Sequence, residues 1–150
     1  MKSVFNENDA NELIARIEKL SPDSKPNWGK MSVDRMLAHC NVAYDLTYED
    51  KYPKPNFFKK FLLKNFVKKY IVSEAPYQQS LKTDPVFIIT DSKNFSEEKA
   101  RLIGHLKKTL SLGEKYFEGR ESHSFGVLTA QEWNNMFYKH INHHLTQFGV

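Results

Sequence analysis

Apolar residues recur at intervals of three and four along most of this chain, and this spacing constrains the fold more than any other feature. It puts apolar side chains on one face of a helix, whereas a strand needs strict alternation. Only PVFIIT (85–90) has the composition of a strand, and a lone strand has nothing to pair with, so we expect an extended crossing segment there. The periodic segments predict helices over about 10–20, 33–49, 57–72, 96–119 and 129–147.

Capping patterns support three of these helix starts. Asp9 with Glu12, and again Thr129 with Glu132, have the spacing of a capping box. In that motif the first side chain accepts a hydrogen bond from the backbone N–H three residues later. Ser32 is placed to cap the second helix.

The connections between the helices predict how they are arranged. Short connections join the first helix to the second and the last two to each other, so each pair should be antiparallel. The crossing from 50 to 95 is long enough for the helices that it joins to run parallel. The 150 residues show no internal repeat, so we predict one all-α domain, 1–150. It is expected to be a helical bundle with a long crossover that carries an extra amphipathic helix.

Composition and short motifs exclude several classes of protein. The apolar share of 40% and the charged share of 27% are typical of a globular chain rather than a disordered one. Cys40 is the sole cysteine, and the first residues lack the apolar run of a signal peptide, so we expect a cytoplasmic, reducing compartment. The glycines are isolated and form no P-loop or GxGxxG motif, so no nucleotide cofactor is expected.

Three histidines are predicted to lie on buried helix faces. His39 stands within the apolar stripe of the second helix, while His140 and His144 share the stripe of the last one. Residues four apart on a helix lie about 5–6 Å apart at Cβ, which lets two imidazoles reach one ion. With a third imidazole from a facing helix, the pattern predicts an open three-histidine site for zinc, nickel, copper or iron. The alternative is three buried structural histidines, each with its own hydrogen-bond partner.

Three segments resemble the DinB-like (YfiT-like) superfamily of metal-dependent enzymes, and within it a bacterial branch whose reaction is unknown. They are WGKMSVDRMLAHC (28–40), LKTDPVFIITDSKNFSEEKARLI (81–103) and HSFGVLTAQEWNNMFYKHINHHLTQFGV (123–150). The most specific element is HINHH followed by a glutamine. The resemblance implies a four-helix bundle with up-down-down-up connectivity. It also implies a divalent ion, nickel or zinc, held by His39, His140 and His144. Relatives in this branch usually have proline in place of Ser124, and His123 has no implied ligand role.

The resemblance implies a range of activities rather than one. Some members of the superfamily are S-transferases that use low-molecular-weight thiols, and another is a thiol-dependent isomerase. The resemblance therefore implies an unknown small-molecule substrate, with a low-molecular-weight thiol as the co-substrate. HINHH lacks the carboxylate of the HExxH motif, so a hydrolase would need a base from elsewhere. We therefore favour thiol transfer, with metal-dependent hydrolysis as the alternative. Homodimers occur in the superfamily, but no feature of this sequence decides the oligomeric state.

The lysine-rich helix over 57–72 offers a third interpretation. Seven lysines and no acidic residue lie between 51 and 70, and the helix has an apolar face and a lysine face. Such a helix can lie on an anionic membrane or bind single-stranded nucleic acid. A non-catalytic binding module that uses either this helix or the bundle pocket is therefore a further alternative. We expect instead that its phenylalanines cover the bundle and that its lysines face water. We therefore expect neither a membrane nor a nucleic acid as a partner of this chain.

Overall fold

The computed structural model describes all 150 residues and is mostly helical, as the sequence predicts. The helices are α1 (Glu7–Glu18), α2 (Val33–Tyr48), α3 (Phe57–Leu62), α4 (Lys68–Val72), α5 (Phe95–Phe117) and α6 (Ala130–Gln147). A π turn over Leu63–Val67 joins α3 to α4, so that 57–72 forms one continuous helical segment. None of the helices combines the length and the apolar character needed to cross a bilayer.

The helix starts agree with the capping predictions at α6 but not at α1. Thr129 and Glu132 form the reciprocal capping box at the start of α6. At α1 the capping residue is Asn6, whose side chain accepts a hydrogen bond from the backbone N–H of Asp9. The predicted cap at Asp9 is therefore wrong, and this carboxylate lies in the first turn, where a negative charge stabilises a helix. Ser32 precedes α2 but makes no capping hydrogen bond with its side chain.

Two short elements between the helices differ from the prediction. Strands β1 (Arg120–Ser122) and β2 (Gly126–Leu128) form an antiparallel hairpin before α6. Three residues are too few to show the alternation by which a strand is recognised. In the crossing segment, Pro85–Phe87 forms a 3-10 turn instead of extended chain. The cause is local, because the Asp84 side chain accepts a hydrogen bond from the Val86 N–H at 3.1 Å.

The core lies between the longer helices. Helix α2 packs against α5 and α6, and α1 packs against the same two helices. Stacked rings of Tyr44 and Phe137, whose centroids are 4.6 Å apart, join α2 to α6. Cys40 is buried in this core, and burial raises the pKa of its thiol, so the thiol stays protonated and unreactive.

A buried carboxylate on α2 also links this helix to α5. Asp45 accepts hydrogen bonds from Arg101 at 2.8 and 3.0 Å and pairs with Lys51 at 2.7 Å. Burial alone would raise the pKa of Asp45, but His105, Lys51 and Arg101 together hold it well below its usual range. The carboxylate therefore stays charged at neutral pH and ties the two helices together.

The expected orientation of the segment 57–72 is wrong. Its phenylalanines face outward, with exposed fractions of 88% for Phe57, 69% for Phe58, 52% for Phe61 and 74% for Phe66. Of the lysines, Lys60 and Lys68 are half-buried, whereas Lys59, Lys64 and Lys69 are exposed as expected. The ion pairs are Lys59–Asp84, Lys60–Glu121 and Lys68–Glu132.

The end of this segment is fixed to α6 by buried polar contacts. Lys139 donates hydrogen bonds to the carbonyl oxygens of Tyr70 at 2.8 Å and Ser73 at 2.6 Å. Asn135 donates to the carbonyl of Val72 at 2.8 Å. Burial lowers the pKa of Lys139 to about 8, since no carboxylate accompanies it. These contacts satisfy the carbonyl groups that a helix leaves free at its end.

Candidate metal centre

His39, His140 and His144 meet at one point between α2 and α6. One nitrogen from each imidazole lies within 4.8 Å of the others. The ring centroids form a nearly equilateral triangle, with sides of 4.9, 4.7 and 5.0 Å. His140 and His144 lie one turn apart on α6 and share a face, against which α2 packs. The structure thus brings together all three histidines that the sequence predicts.

A backbone carbonyl fixes the orientation of His39. Its Nδ1 lies 2.9 Å from the carbonyl oxygen of Phe87, in the 3-10 turn of the crossing segment. A carbonyl oxygen only accepts hydrogen bonds, so Nδ1 of His39 carries the proton and donates it. The unprotonated Nε2 then faces the other two histidines. Such a hydrogen bond to the distal ring nitrogen is the usual device by which proteins orient a metal-ligating histidine.

An amide side chain fixes His144 in the same way. Its Nδ1 lies 2.8 Å from Oε1 of Gln147, one turn further along α6. The amide orientation is determined, because Nε2 of Gln147 donates to the carbonyl of Trp28 at 2.8 Å. Its Oε1 must therefore accept from Nδ1 of His144, which leaves Nε2 of this ring free to bind an ion. Gly29 packs against the same amide, and a Cβ added at this residue would lie 3.0 Å from Nε2 of Gln147.

His140 faces His39 across the cluster. Nε2 of His140 lies 2.9 Å from Nε2 of His39. Because the latter nitrogen bears no proton, the contact requires His140 to donate from its own Nε2. A proton therefore lies between two nitrogens that would both face an ion. An ion that binds Nε2 of His140 requires this proton to move to Nδ1 of the same ring, a change of tautomer that leaves the imidazole neutral.

Burial keeps all three imidazoles neutral at physiological pH. It lowers the pKa of His39 and His140, and it lowers the pKa of His144 to about 3. The neighbouring imidazoles lower the pKa of His140 and His144 further, since like charges in one site oppose each other. A neutral imidazole is the form that binds a metal ion. All three rings are thus neutral before an ion binds, and only His140 must shift its proton away from Nε2 to expose that nitrogen.

The donor set fits a divalent transition-metal ion. Three neutral imidazoles with an open fourth position are typical ligands of catalytic zinc, and imidazole equally suits nickel. With Zn–N bonds of about 2.0–2.1 Å, two ligands of a tetrahedral site lie about 3.3 Å apart. The 2.9 Å contact between His39 and His140 needs only a small widening to reach that separation.

A cavity of about 710 Å³ adjoins the cluster, and all three histidines form part of its wall. This volume suits a small molecule. Aromatic side chains of Trp28, Tyr77 and Phe87 also line it. Asp84 is the only carboxylate in the wall, and it forms an ion pair with Lys59 at 2.9 Å. An unpaired carboxylate base is therefore absent from the cavity.

Two further histidines line the cavity outside the cluster. His143 lies edge-on to the rings of Trp28 and Tyr77, each 5.8 Å away, and burial lowers its pKa. His123 lies in the turn of the hairpin, where its Nδ1 is 2.9 Å from Oγ of Ser124. Its Nε2 is buried and makes no hydrogen bond within the protein. Neither residue belongs to the group of three.

Sequence reasoning finds the three candidate ligands but misses most of the groups that orient them. Phe87 acts through its backbone carbonyl, which no side-chain pattern reveals. Gln147 offers a weak signal, because a glutamine three residues after a histidine on one helix can reach its ring.

Comparison of the chain with models of protein families, with curated proteins and with solved structures returns no significant match.

Proposed function

We propose that this chain is a DinB-like, metal-dependent enzyme that acts on a small molecule bound in the 710 Å³ cavity. The observation that carries the proposal is the convergence of His39, His140 and His144 on one point of the cavity wall. Two of the rings have Nδ1 bonded to oxygen acceptors, which directs Nε2 to that point. Each ring also has a hydrogen-bond partner, as buried structural histidines would, so the feature that favours a metal site is that one nitrogen from each ring converges on the same point.

The packing of the helices supports the corresponding fold. In this proposal α1, α2, α5 and α6 are the four helices of an up-down-down-up bundle, and the segment 57–72 is an addition within its crossover. The contacts of α2 with both α5 and α6, and of α1 with the same pair, are consistent with that arrangement. Metal sites in such bundles are built from side chains on facing helices.

Zinc or nickel is the ion that we assign to the cluster. Both accept three imidazole nitrogens, and both leave room for a further ligand. A divalent ion bound here lowers the pKa of a thiol or water in its open position, which supplies a nucleophile at neutral pH. The chain itself contributes the oriented rings, of which His39 and His144 are buried, and an aromatic wall.

The absence of a free carboxylate in the cavity favours a thiol as co-substrate. A water bound to such an ion keeps a pKa of about 7, so a base in the wall would help to remove its proton, whereas a coordinating thiol is deprotonated outright. The thiolate then forms a C–S bond with the second substrate, and the leaving group departs with its bonding electrons. The reaction that we favour is therefore transfer to a low-molecular-weight thiol.

One observation favours hydrolysis as a second candidate. His123 lines the cavity with a buried Nε2 that has no hydrogen-bond partner. A neutral imidazole in that position is able to take a proton from water. In a hydrolase His123 would be the base that the HINHH motif lacks.

Parallel assays of zinc-loaded and nickel-loaded protein distinguish these reactions. Thiol consumption is measured with low-molecular-weight thiols and activated alkyl halides or epoxides, and hydrolysis with nitrophenyl esters. We expect metal-dependent thiol consumption that survives His123→Ala and is lost in His144→Ala. Rapid, thiol-independent ester hydrolysis that is lost in His123→Ala would contradict thiol transfer and establish the hydrolase. If neither reaction occurs across a broad panel, the proposal of an enzyme fails and a non-catalytic binding role remains.

A further inference from the structure

We propose that the helical segment 57–72 docks on the surface of an anionic phospholipid bilayer. Its phenylalanines point outward, where a helix on a water-facing surface carries polar side chains. The four phenylalanines described above are exposed, and Leu62 beside them is 38% exposed. A continuous apolar surface of this kind on a folded chain marks an interaction site.

The contacts of the segment explain why the phenylalanines are left outside. Lys59, Leu63 and Val67 line the cavity, so one side of the helix is committed to that wall. A second side faces the β-hairpin, where Lys60 pairs with Glu121 at 2.6 Å and Lys68 reaches the carbonyl oxygen of Val127 at 3.4 Å. The side that carries the phenylalanines is therefore the one that packs against neither the cavity nor the hairpin.

Charge complementarity identifies the partner as an anionic surface. From residue 51 to residue 73 the chain carries seven lysines and no acidic residue. Three of the lysines are exposed and have no acidic partner, namely Lys54, Lys64 and Lys69. Amphipathic helices that lie in the headgroup region combine exposed aromatic side chains with lysines in this way. Each lysine near an anionic leaflet adds to binding.

The same charges disfavour a second copy of this chain as the partner. A two-fold symmetric contact places identical patches against each other, so the unpaired lysines of both copies would meet. A bilayer requires no complementary shape, and it accepts phenylalanine and leucine side chains on a convex helix. The anchoring of Tyr70, Val72 and Ser73 to α6 holds the segment in place without covering its apolar side.

Vesicle flotation tests the proposal with the untagged full-length protein. The probes are vesicles of phosphatidylcholine alone and vesicles in which about one third of the lipid is phosphatidylglycerol. We expect the protein to float with the anionic vesicles only. It should be released at about 1 M NaCl, where the screening length is about 3 Å.

Two sets of variants identify the surface. The first replaces the phenylalanines by serine, in Phe57→Ser, Phe58→Ser, Phe61→Ser and Phe66→Ser combined. The second reverses the unpaired charges, in Lys54→Glu, Lys64→Glu and Lys69→Glu combined. Its matched control reverses three exposed lysines elsewhere, in Lys25→Glu, Lys107→Glu and Lys115→Glu combined.

We expect binding to anionic vesicles to fall at least tenfold in the serine variant. It should fall about 100-fold when Lys54, Lys64 and Lys69 are reversed, and much less in the control with Lys25, Lys107 and Lys115 reversed. Because the replaced phenylalanines are mostly exposed, circular dichroism should show an unchanged fold. Failure of the wild-type protein to float with anionic vesicles would overturn the proposal, as would unchanged flotation of the serine variant. A wild-type dimer that the serine substitutions convert to a monomer would show that a second copy covers this face. Binding of a single-stranded oligonucleotide without vesicle binding would likewise overturn it.

Discussion

The carbonyl oxygen of Phe87 lies 2.9 Å from Nδ1 of His39, although the two residues are separated by 48 positions in the chain. This contact makes the crossing segment part of the candidate metal centre rather than a passive connection. Asp84 caps the turn that holds Phe87, and it also pairs with Lys59 of α3. The orientation of one candidate ligand therefore depends on the lysine-rich segment as well as on the two helices that carry the histidines.

Replacing Gln147 should weaken metal binding. In Gln147→Ala the Nδ1 of His144 loses its acceptor, so the ring is free to rotate and to change tautomer. We expect zinc affinity to fall about 10-fold to 100-fold, as is usual when such a partner is removed. Competition with a chromophoric chelator measures the affinity. Gln131→Ala on the same helix is the control, and an equal loss in both variants would refute the role of Gln147.

A methyl group at residue 29 should disturb the same hydrogen bond from the other side. Gly29 has φ of +79°, and its Cβ would lie 3.0 Å from Nε2 of Gln147. Gly29→Ala is therefore strained, and it displaces the amide that orients His144. We expect lower zinc affinity together with lower thermal stability. Gly104→Ala is the control, since its Cβ meets no atom within 4 Å. Unchanged zinc affinity in Gly29→Ala would contradict the close approach.

The capping box of α6 should contribute measurably to stability, because α6 carries two of the histidines. Thr129 accepts a hydrogen bond from Glu132 N–H at 3.2 Å and donates its own N–H to the Glu132 carboxylate at 3.0 Å. Thr129→Ala should reduce the free energy of unfolding by about 1 kcal/mol. Ser32→Ala should have a smaller effect, because Ser32 makes no capping hydrogen bond. Urea denaturation compares the two variants, and equal losses would contradict this account.

The metal-free protein should lose stability as the pH falls below about 6.5. Burial lowers the folded-state pKa of His39, His140 and His144, the last to about 3. In the unfolded chain these residues take up protons near pH 6.5, whereas the folded protein resists protonation until a much lower pH. The free energy of unfolding should therefore decrease progressively between about pH 6.5 and 3.

Urea denaturation at several pH values checks this prediction. The interval from about pH 6.5 to 5 is the most informative, because carboxylates such as Asp45 titrate below it. The slope in this interval should be reduced in His140→Ala with His144→Ala, which removes two of the groups. A stability that is constant across the interval in the wild-type protein would contradict the buried neutral cluster.

The helices and the candidate ligands could be predicted because both depend on local spacing. The period of three to four residues locates α2, α5 and α6 to within a few positions, and the Thr129–Glu132 box marks the start of α6. His140 and His144 share a face of any helix that contains them. Their meeting with His39 needed one further step, the inference that α2 and the last helix face each other.

The remaining features depend on contacts between distant residues. The carbonyl of Phe87 has no sequence signature, and a hairpin of two three-residue strands is too short for a periodic pattern. The orientation of the segment 57–72 was predicted from amphipathicity alone. That rule fails for the phenylalanines because another side of the helix, with Leu63 and Val67, lines the cavity. A third side pairs Lys60 with Glu121 and Lys68 with Glu132.

Elemental analysis of protein purified without a histidine tag tests the central claim most directly. The protein is incubated with zinc or nickel and then dialysed, alongside the double variant His140→Ala with His144→Ala and the control His123→Ala. We predict about one tightly held ion per chain in the wild-type protein and in the control, and none in the double variant. A wild-type protein that retains neither zinc nor nickel would contradict the metal centre and leave three buried histidines that hold one another in place.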